Sequence, residues 1–176
     1  MTDIANAPTA TTSIDQYGSP PMPWSRPRDI LVQDSPSVDL TFFVGTVRPD
    51  GRPHAAGVGA LWVDDTLYFV SGPGTRRARN LEKNPACTVS VRLRGVDLTL
   101  EGDAHRVTDA ATLEQVVAAY RAGGWPVTVV DDAFTAPFTA PSAGPPPWHL
   151  YRLTLHTAFG VASAEPHGAT RWDFAH

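Results

Sequence analysis

The sequence predicts a mainly β protein, in which about six antiparallel strands form a closed or partly closed barrel with few helices. Runs rich in β-branched and aromatic residues recur along the chain, and such runs are typical of strands. Turns of only six and two residues separate the first three runs, which leaves no room for the crossover helix that parallel strands require. Helical periodicity is confined to two segments. With 176 residues, the chain is long enough to bury a sizeable core.

The first three strands are predicted to form an antiparallel meander. The run at 40–47 is the first strand, and the Pro-Asp-Gly sequence after it has the residue types that a tight reversal requires. The second strand is predicted from about 54 to 63, and Asp64-Asp65 turns the chain into the third, at 66–71. This arrangement excludes a parallel, Rossmann-type sheet for this part of the chain.

Two helices and three further strands complete the predicted barrel. The first helix, at 76–84, has Thr75 as its N-cap and ends before Pro85. The second begins after Asp109 and has a single apolar stripe. The later strands are predicted at about 87–92, 97–107 and 148–161. The Pro-rich and aromatic segment 123–148 is too long for a simple connection, so we predict that it folds over a site.

The chain is predicted to divide into an arm and a domain. Residues 1–37 are expected to be an extended or partly disordered N-terminal arm, because they are rich in Pro, Thr, Ala and Ser and have little periodicity. Trp24 and the apolar run 30–32 indicate that the second half of this arm packs on the rest of the chain. Residues 38–176 are the predicted barrel domain.

Composition excludes several classes of function. A net charge of −4 argues against a general nucleic-acid binder. No apolar run approaches the ~20 residues of a membrane helix, and the N-terminus lacks the apolar segment of a secretory signal. The single Cys87 forms no internal disulfide, and the six histidines have no metal-binding spacing, so no metal site is expected. We therefore expect a cytoplasmic protein without nucleic-acid or membrane partners.

The segment 71–81 gives the clearest indication of chemistry. A strand ends at Ser71, two glycines follow, and a helix begins, so unpaired backbone N–H groups and the positive end of the helix dipole meet at one point. Thr75 adds a hydroxyl group to this point. Positive charge comes from Arg76, Arg77 and Arg79. A phosphate group is the typical ligand of such a place.

Three arginines on a short helix can instead form an ordinary solvated face. Here, however, they lie where the helix dipole disfavours cations unless an anion is present, which favours the phosphate interpretation. The GxxxxGK[ST] spacing of a Walker P-loop is absent, so the motif belongs to another class of phosphate site.

The order of these elements resembles the pyridoxamine 5′-phosphate oxidase-like split barrels, which bind FMN or the deazaflavin coenzyme F420. The resemblance covers about residues 38–174 and depends on the order and spacing of short pieces. These pieces are the strand at 42–47, Asp50-Gly51-Arg52-Pro53-His54, Val70-Ser71, Thr75-Arg76-Arg77 with Leu81, Asn84-Pro85, Glu101-Gly102, the helix at 109–122 and the tail at 170–174. The resemblance implies a split barrel of the FMN-binding type.

The resemblance also implies a set of site residues. Arg77 stands at the family's phosphate-binding position, and the two residues before it would assist. The end of the third strand would lie along the isoalloxazine ring, and the backbone at 55–59 would run against the ring's polar edge. Gly57 and Gly59 in this backbone suit the close approach of a flat ring, although they could instead relieve the curvature of the barrel. The implied cofactor-binding residues are Ala55, Gly57, Val58, Gly59, Val70, Ser71, Thr75, Arg76 and Arg77.

By this resemblance, the chain is expected to be a flavin- or deazaflavin-dependent oxidoreductase. It would transfer a hydride to or from a small conjugated substrate, as a homodimer with the cofactor between its subunits. Because a flavin carries its own hydride chemistry, no catalytic residue is assigned, although His149 and Tyr151 could donate a proton. The alternative is a non-catalytic protein of the same fold that carries the cofactor or binds a tetrapyrrole such as haem.

The chain departs from the true oxidases, which argues against oxidation of pyridoxamine phosphate itself. Its tail lacks their R-L-x-P signature and the Arg/His pair upstream of it, and Asp97 stands where they have a Gln that contacts the ring. The short C-terminus and the segment from Tyr120 to Pro126 look more like the actinobacterial-type reductase branch. We therefore favour the deazaflavin over FMN by a narrow margin.

Overall fold

The structure, a computed structural model, describes residues 7–35 and 40–175. Its helices are α1 (Ser25–Asp34), α2 (Arg76–Lys83) and α3 (Ala110–Ala122). Its strands are β1 (Ala10–Ser13), β2 (Phe42–Val47), β3 (Pro53–Val58), β4 (Ala60–Val63), β5 (Thr66–Ser71), β6 (Ala86–Leu93), β7 (Val96–Val107), β8 (Thr128–Val130), β9 (Ala133–Thr135), β10 (His149–Ala162) and β11 (Gly168–Asp173). The mainly β, antiparallel split-barrel prediction is confirmed.

The large sheet divides into two connected parts at Gly59. Seven strands follow the order β1-β11-β10-β7-β6-β2-β3, and β10 also pairs with β5, which in turn pairs with β4. Only Gly59 separates β3 from β4, so one run of chain pairs with β2 before this residue and with β5 after it. The edge of β3 that faces away from β2 has no strand partner among the described residues.

The predicted number of about six strands is too low. Eleven strands occur in the described part of the chain. The second predicted strand is two strands because the chain bends at Gly59. The strands β1, β8, β9 and β11 are short: β1 pairs with β11, β11 also pairs with β10, and β8 pairs with β9 across a two-residue turn.

The described part of the N-terminal segment packs on the barrel. Strand β1 pairs with β11, and helix α1 buries Leu31 completely. Trp24 is also buried, and its ring lies edge-on to Trp172 at a centroid distance of 5.2 Å. The predicted extended arm thus contains a ten-residue helix that the Pro-rich sequence did not indicate. The predicted boundary at residue 37 falls in 36–39, outside the described residues.

Two hydrophobic clusters place α2 and α3 against the sheet. The larger cluster fills the barrel interior, and Leu81 of α2 belongs to it. The second cluster lies between α3 and the β4–β5 pair. Both helices begin with a side-chain cap: Thr75 accepts a hydrogen bond from the Ala78 amide, and Asp109 accepts one from the Thr112 amide. Within the described residues, none of the helices is both long and apolar enough to cross a membrane.

Candidate functional site

A mostly apolar cavity of about 510 Å³ lies where the two parts of the sheet separate. One wall is the bend between β3 and β4, a second is the end of β5, and the others are α3 with its following turn and the segment 140–143. The lining residues are Leu40, Thr41, Gly57, Val58, Gly59, Ala60, Leu61, Val70, Tyr120, Gly123, Gly124, Trp125, Ala140, Ser142 and Ala143. A volume of this size is typical of a small-molecule site.

The bend at Gly59 is held by a buried tyrosine. The Tyr120 hydroxyl donates a hydrogen bond to the Gly59 carbonyl at 3.0 Å, and complete burial raises the pKa of this hydroxyl. It therefore remains a protonated donor at neutral pH. A Cβ placed on Gly59 would meet no atom within 4 Å, and one on Gly57 would meet only side-chain atoms at 3.9 Å. The glycine positions thus leave open space beside the backbone rather than tight packing.

The hydroxyl groups before α2 are already used within the chain. Thr75 Oγ1 lies 2.7 Å from Ser71 Oγ and donates to the Gly72 carbonyl at 2.9 Å. It also accepts from the Ala78 amide at 3.1 Å, as an N-cap does. Ser71 is fully buried and does not line the cavity. Ser71 and Thr75 consequently stabilise the turn before α2. An anionic ligand would contact the arginines of α2 instead.

Arg77 is a buried cation without a carboxylate partner among the described residues. Its side chain is 2% exposed, and it donates only two long hydrogen bonds, to the Val70 carbonyl at 3.3 Å and the Ser142 carbonyl at 3.4 Å. Burial lowers the pKa of this guanidinium, since desolvation penalises its charged form. Because Val70 and Ser142 both line the cavity, the uncompensated charge lies directly behind the cavity wall.

Three further basic groups lie near Arg77. Helix α2 contacts both β2, which Arg48 directly follows, and β3, which contains His54, and the pKa of His54 is lowered first by burial and then by the charges of Arg48, Arg77 and Arg76. We call Arg48, His54, Arg76 and Arg77 the basic cluster. None of its arginines forms an ion pair with a carboxylate in the described chain. In a protein with a net charge of −4, such a concentration of unpaired cations indicates a site for an anion.

Orphaned buried atoms also mark the basic cluster. Five buried side-chain nitrogen or oxygen atoms lack a hydrogen-bond partner in the described residues, and three of them are Arg48 Nε, His54 Nδ1 and Arg77 Nε. Buried polar groups in native proteins are nearly always satisfied, so three unpaired nitrogens in one region, two of them arginine donors, are unusual. The donors and the missing counter-charge both fit an oxyanion such as phosphate.

The segment 140–144 covers the turn between β5 and α2. A Cβ on Gly72 would lie 2.1 Å from the Ala143 carbonyl oxygen, so the absence of a side chain at Gly72 permits the contact. The Trp148 indole donates to the Gly144 carbonyl at 2.9 Å and fixes the far end of this segment. The Pro-rich segment therefore lies over the site, as its length and aromatic content predict.

The predicted site residues separate into two groups. Gly57, Val58, Gly59 and Val70 line the cavity. The remaining five do not: Arg76 and Arg77 belong to the basic cluster, Ser71 and Thr75 hold the turn, and Ala55 is an exposed residue of β3. Sequence reasoning missed Arg48 and His54, although both flank the Pro-Asp-Gly turn. The possible proton donors His149 and Tyr151 lie outside this cavity, in a separate one.

The lowered pKa of His54 predicts a loss of stability in mild acid. Because this pKa lies below the ordinary value of 6.5, the unfolded chain binds a proton first as the pH falls. The free energy of unfolding should be highest above pH 6.5 and should decrease as the pH falls toward the lowered pKa. We expect His54→Gln to reduce the difference in melting temperature between pH 7.5 and pH 5.5.

A matched control replaces the exposed His167 by Gln and should keep the full pH dependence. His149, whose pKa is also lowered by burial, accounts for part of the dependence that remains in the His54 variant. An unchanged pH dependence in His54→Gln would contradict the lowered pKa of this imidazole, to which burial contributes most and the three arginines next.

No metal centre accompanies the cavity in the described chain. Across residues 7–35 and 40–175, no group of three or more His, Cys, Asp or Glu side chains could hold a metal ion. Among the lining residues, Thr41, Tyr120 and Ser142 have hydroxyl groups, and none has an acid, a base or a thiol in its side chain. The cavity can therefore enclose an apolar ring, but it offers few groups for proton transfer.

Comparisons with solved structures agree with this fold. A candidate 5-nitroimidazole antibiotic resistance protein from Bacteroides thetaiotaomicron has 14% identity and a TM-score of 0.56, with 96% of this chain and 93% of that chain covered. A candidate pyridoxamine 5′-phosphate oxidase from Listeria innocua has 19% identity and a TM-score of 0.53, covering 76% and 94%. A heme binding protein from Mycobacterium smegmatis has 13% identity and a TM-score of 0.54, covering 74% and 51%. At these identities the likeness shows the fold alone.

A comparison with curated proteins finds no match. The family model described as pyridoxamine 5′-phosphate oxidase, by contrast, matches residues 32–162, which include the β3–β4 bend, α2 and all of β10. This match spans well over half of the chain. The protein therefore belongs to the pyridoxamine 5′-phosphate oxidase family.

Proposed function

We propose that this protein is an oxidoreductase that binds a phosphorylated flavin-type cofactor, FMN or the deazaflavin F420. The tricyclic ring would occupy the apolar cavity, and the phosphate would bind the basic cluster. The observation that carries this proposal is Arg77, a buried cation that has no carboxylate partner in the described chain and lies directly behind the cavity wall. A buried charge is costly unless something pairs with it, and a phosphate would supply that pairing.

The distance between the basic cluster and the apolar cavity suits a single ligand that occupies both. His54 of the basic cluster and Gly57 of the cavity are three residues apart on β3, which corresponds to about 10 Å along a strand. A ribityl chain could join a ring to a phosphate over such a distance. The unpaired edge of β3 runs between the two, so its backbone groups are available to the polar edge of a ring.

The cofactor would supply the hydride chemistry, and this chain would bind, orient and shield it. Val58, Leu61 and Val70 would contact the ring faces and exclude water. Tyr120 would fix the Gly59 backbone against the ring, since its hydroxyl is committed to that carbonyl. Trp125 and the segment 140–143 close the cavity from the other side, which leaves room for a small, flat, conjugated substrate rather than a bulky one.

A titration with each cofactor tests this proposal, and the Gly59→Leu variant tests whether the ring occupies this cavity. The parent protein should bind FMN or F420 with saturable changes in absorbance and fluorescence. Because a Cβ at Gly59 points into open space, Gly59→Leu should fold normally yet fill the cavity and weaken ring binding about ten-fold or more. Inorganic phosphate, which needs only the basic cluster, should bind both proteins equally.

Two results would refute the cofactor assignment. One is a parent protein that binds neither cofactor in the titration. The other is a Gly59→Leu variant that binds the cofactor as tightly as the parent, because the ring would then lie elsewhere. Val130→Leu serves as the control, since Val130 is 54% exposed on β8 and does not line the cavity.

One observation favours the non-catalytic alternative, a protein that carries the cofactor or binds a tetrapyrrole. The described residues that line the cavity include no acid, base or thiol side chain that could transfer a proton. The same set contains no histidine to serve as an axial ligand for haem iron, which favours a carrier of a flavin over a haem protein. Tight cofactor binding without turnover of enoates, quinones or biliverdin would support the carrier.

We also propose that the protein is a homodimer with the cofactor between its subunits. Across four neighbouring strands, the registers align Phe43, Ser90, Thr99 and Phe159 in one row on the outer face of the sheet. Phe43 is 51% exposed and the nearby Val161 is 52% exposed, so large apolar side chains flank the hydroxyl residues Ser90 and Thr99 on this face. Thr41 lines both the groove on this face and the candidate cofactor cavity, so a second copy on the face would also border the cavity.

Phe43→Asp should convert a dimer into a monomer. In the dimer, the new carboxylate would be buried without a partner charge. The free energy of this desolvation should exceed the contribution that the Phe43 side chain makes to the interface, so the dimer should dissociate. Light scattering measures the mass of the parent and the variant. Val130→Asp, which places the same charge at a 54% exposed residue of β8, should leave the dimer intact. A monomeric parent that binds the cofactor would refute this arrangement.

A further inference from the structure

A second cavity, of about 340 Å³, lies between helix α2 and the adjoining ends of β7 and β10, and none of its lining residues belongs to the candidate cofactor cavity. Helix α2 forms one wall with Ala78, Leu81 and Glu82, and the ends of β7 and β10 form the opposite wall. The strand registers explain which side chains meet there. His149 and Tyr151 alternate onto one face of β10, and Arg106 of β7 pairs directly with Tyr151.

Tyr151 is the most buried polar side chain among the residues that line this second cavity. It is 7% exposed, its ring stacks on Phe69 at a centroid distance of 5.4 Å, and its hydroxyl has no hydrogen-bond partner among the described residues. Burial raises the pKa of Tyr151, so the hydroxyl stays a donor at neutral pH. His149 beside it likewise lacks a side-chain hydrogen bond in the described chain. The Tyr151 hydroxyl and the His149 imidazole therefore face one cavity without a hydrogen-bond partner among the described residues.

The charges around this hydroxyl favour an anion. Arg106 and Arg77 both act on Tyr151 more strongly than Glu82, whose negative charge opposes them. Arg106 forms an ion pair with Asp132 at 2.7 Å, but both side chains are partly exposed, and such pairs contribute little free energy. A ligand carboxylate could therefore replace Asp132 as the partner of Arg106. The lining also includes the apolar residues Ala78 and Leu81 of α2 and Ala104 of β7.

We propose that this second cavity is a binding site for a small carboxylic acid with an apolar body, separate from the cofactor site. The carboxylate accepts hydrogen bonds from the Tyr151 hydroxyl and the Arg106 guanidinium, and the apolar body lies against Ala78 and Leu81. His149 lies at the edge of the carboxylate. The proposal does not rest on the proposed function, because no residue of the second cavity lines the cofactor cavity.

Sodium benzoate is the probe for this site, and the imidazole Cε1–H resonance of His149 is the readout. Titration of the cofactor-free parent should shift this resonance saturably, whereas benzylamine, its cationic counterpart, should not. Tyr151→Phe keeps the ring that stacks on Phe69 and removes only the hydroxyl, so the variant should fold and bind benzoate about five-fold more weakly or worse. Arg106→Gln should weaken binding similarly.

Two further variants separate this site from general charge effects. Asp132→Asn frees Arg106 and should tighten benzoate binding, whereas Arg94→Gln, an exposed arginine in the β6–β7 turn, should leave it unchanged. Binding should persist when Gly59→Leu fills the cofactor cavity. The inference is overturned if benzoate causes no saturable shift, if Tyr151→Phe and Arg106→Gln both bind it as the parent does, or if benzylamine binds equally well.

Discussion

Replacement of Arg77 by methionine should weaken cofactor binding by about 1.5–3 kcal/mol, a ten-fold loss or more, because it removes a charge-assisted contact with the phosphate. The same variant should leave the cofactor-free protein as stable as the parent, or more stable by up to roughly 2 kcal/mol. Arg77 is buried without a carboxylate partner in the described chain, so its removal relieves a desolvation cost, and methionine fills a similar space. Arg77→Ala should weaken binding comparably but leave a void.

The opposite signs of these two effects are what distinguish a binding residue from a structural one. Titration with FMN and F420 measures the first, and thermal unfolding without cofactor measures the second. Arg79→Met on the same helix removes the same charge from an exposed position and should change cofactor affinity less than two-fold. If Arg77→Met retained full affinity, the phosphate assignment would be withdrawn. If it unfolded the protein, the guanidinium would be a structural clamp for the segment 140–144.

Gly102→Ala should destabilise the fold by about 3 kcal/mol or more, the largest loss that we expect from a single added methyl group. Gly102 lies on β7 opposite Leu155 of β10, and a Cβ there would be 1.9 Å from the Thr154 carbonyl oxygen and 2.9 Å from its carbon. These are backbone atoms of a central strand, so they have little freedom to move. The register of this strand pair shifts between Leu155 and Thr157, directly beyond the contact.

Thermal unfolding checks this prediction, with an expected fall in melting temperature of roughly 6–12 °C for a protein of this size. Gly57→Ala is the matched control, since it also lies within a strand but its Cβ would make only van der Waals contacts at 3.9 Å. That variant should change stability by less than about 0.5 kcal/mol. A Gly102→Ala protein as stable as the parent would mean that the strands approach less closely than described.

The elements that sequence reasoning located best are those with strong local patterns. Helix α3 was predicted from its apolar stripe and its Asp109 cap, and β5 ends at Ser71, where the strand was predicted to end. The Glu101-Gly102 pair was noted only as part of a family resemblance, and its physical reason, contact with the Thr154 backbone, needed the register of two distant strands. Helix α1 was missed because its stability comes from burial of Leu31 rather than from a helical sequence pattern.

The candidate site was only partly predictable for a similar reason. Arg77 was found because the strand, turn and helix around it are contiguous in sequence. Arg48 and His54 come from another hairpin, and nothing local indicates that they approach α2. Ala55 was predicted at the ring edge, but it is exposed on β3 and does not line the cavity, because the lining begins only at Gly57, next to the bend that ends β3.

The sequence by itself determined most of the central strands, the turns between them, helices α2 and α3, and which helix start is rich in cations, because hydrophobic periodicity, caps and turn residues act over a few positions. Only the tertiary structure decided that Arg77 is buried, that Arg48 and His54 join it, and that the segment 140–144 covers the turn before α2. Burial and the sum of nearby charges depend on every element packed around a group. A site for an anion is therefore a property of the folded chain, and local sequence specifies only its parts.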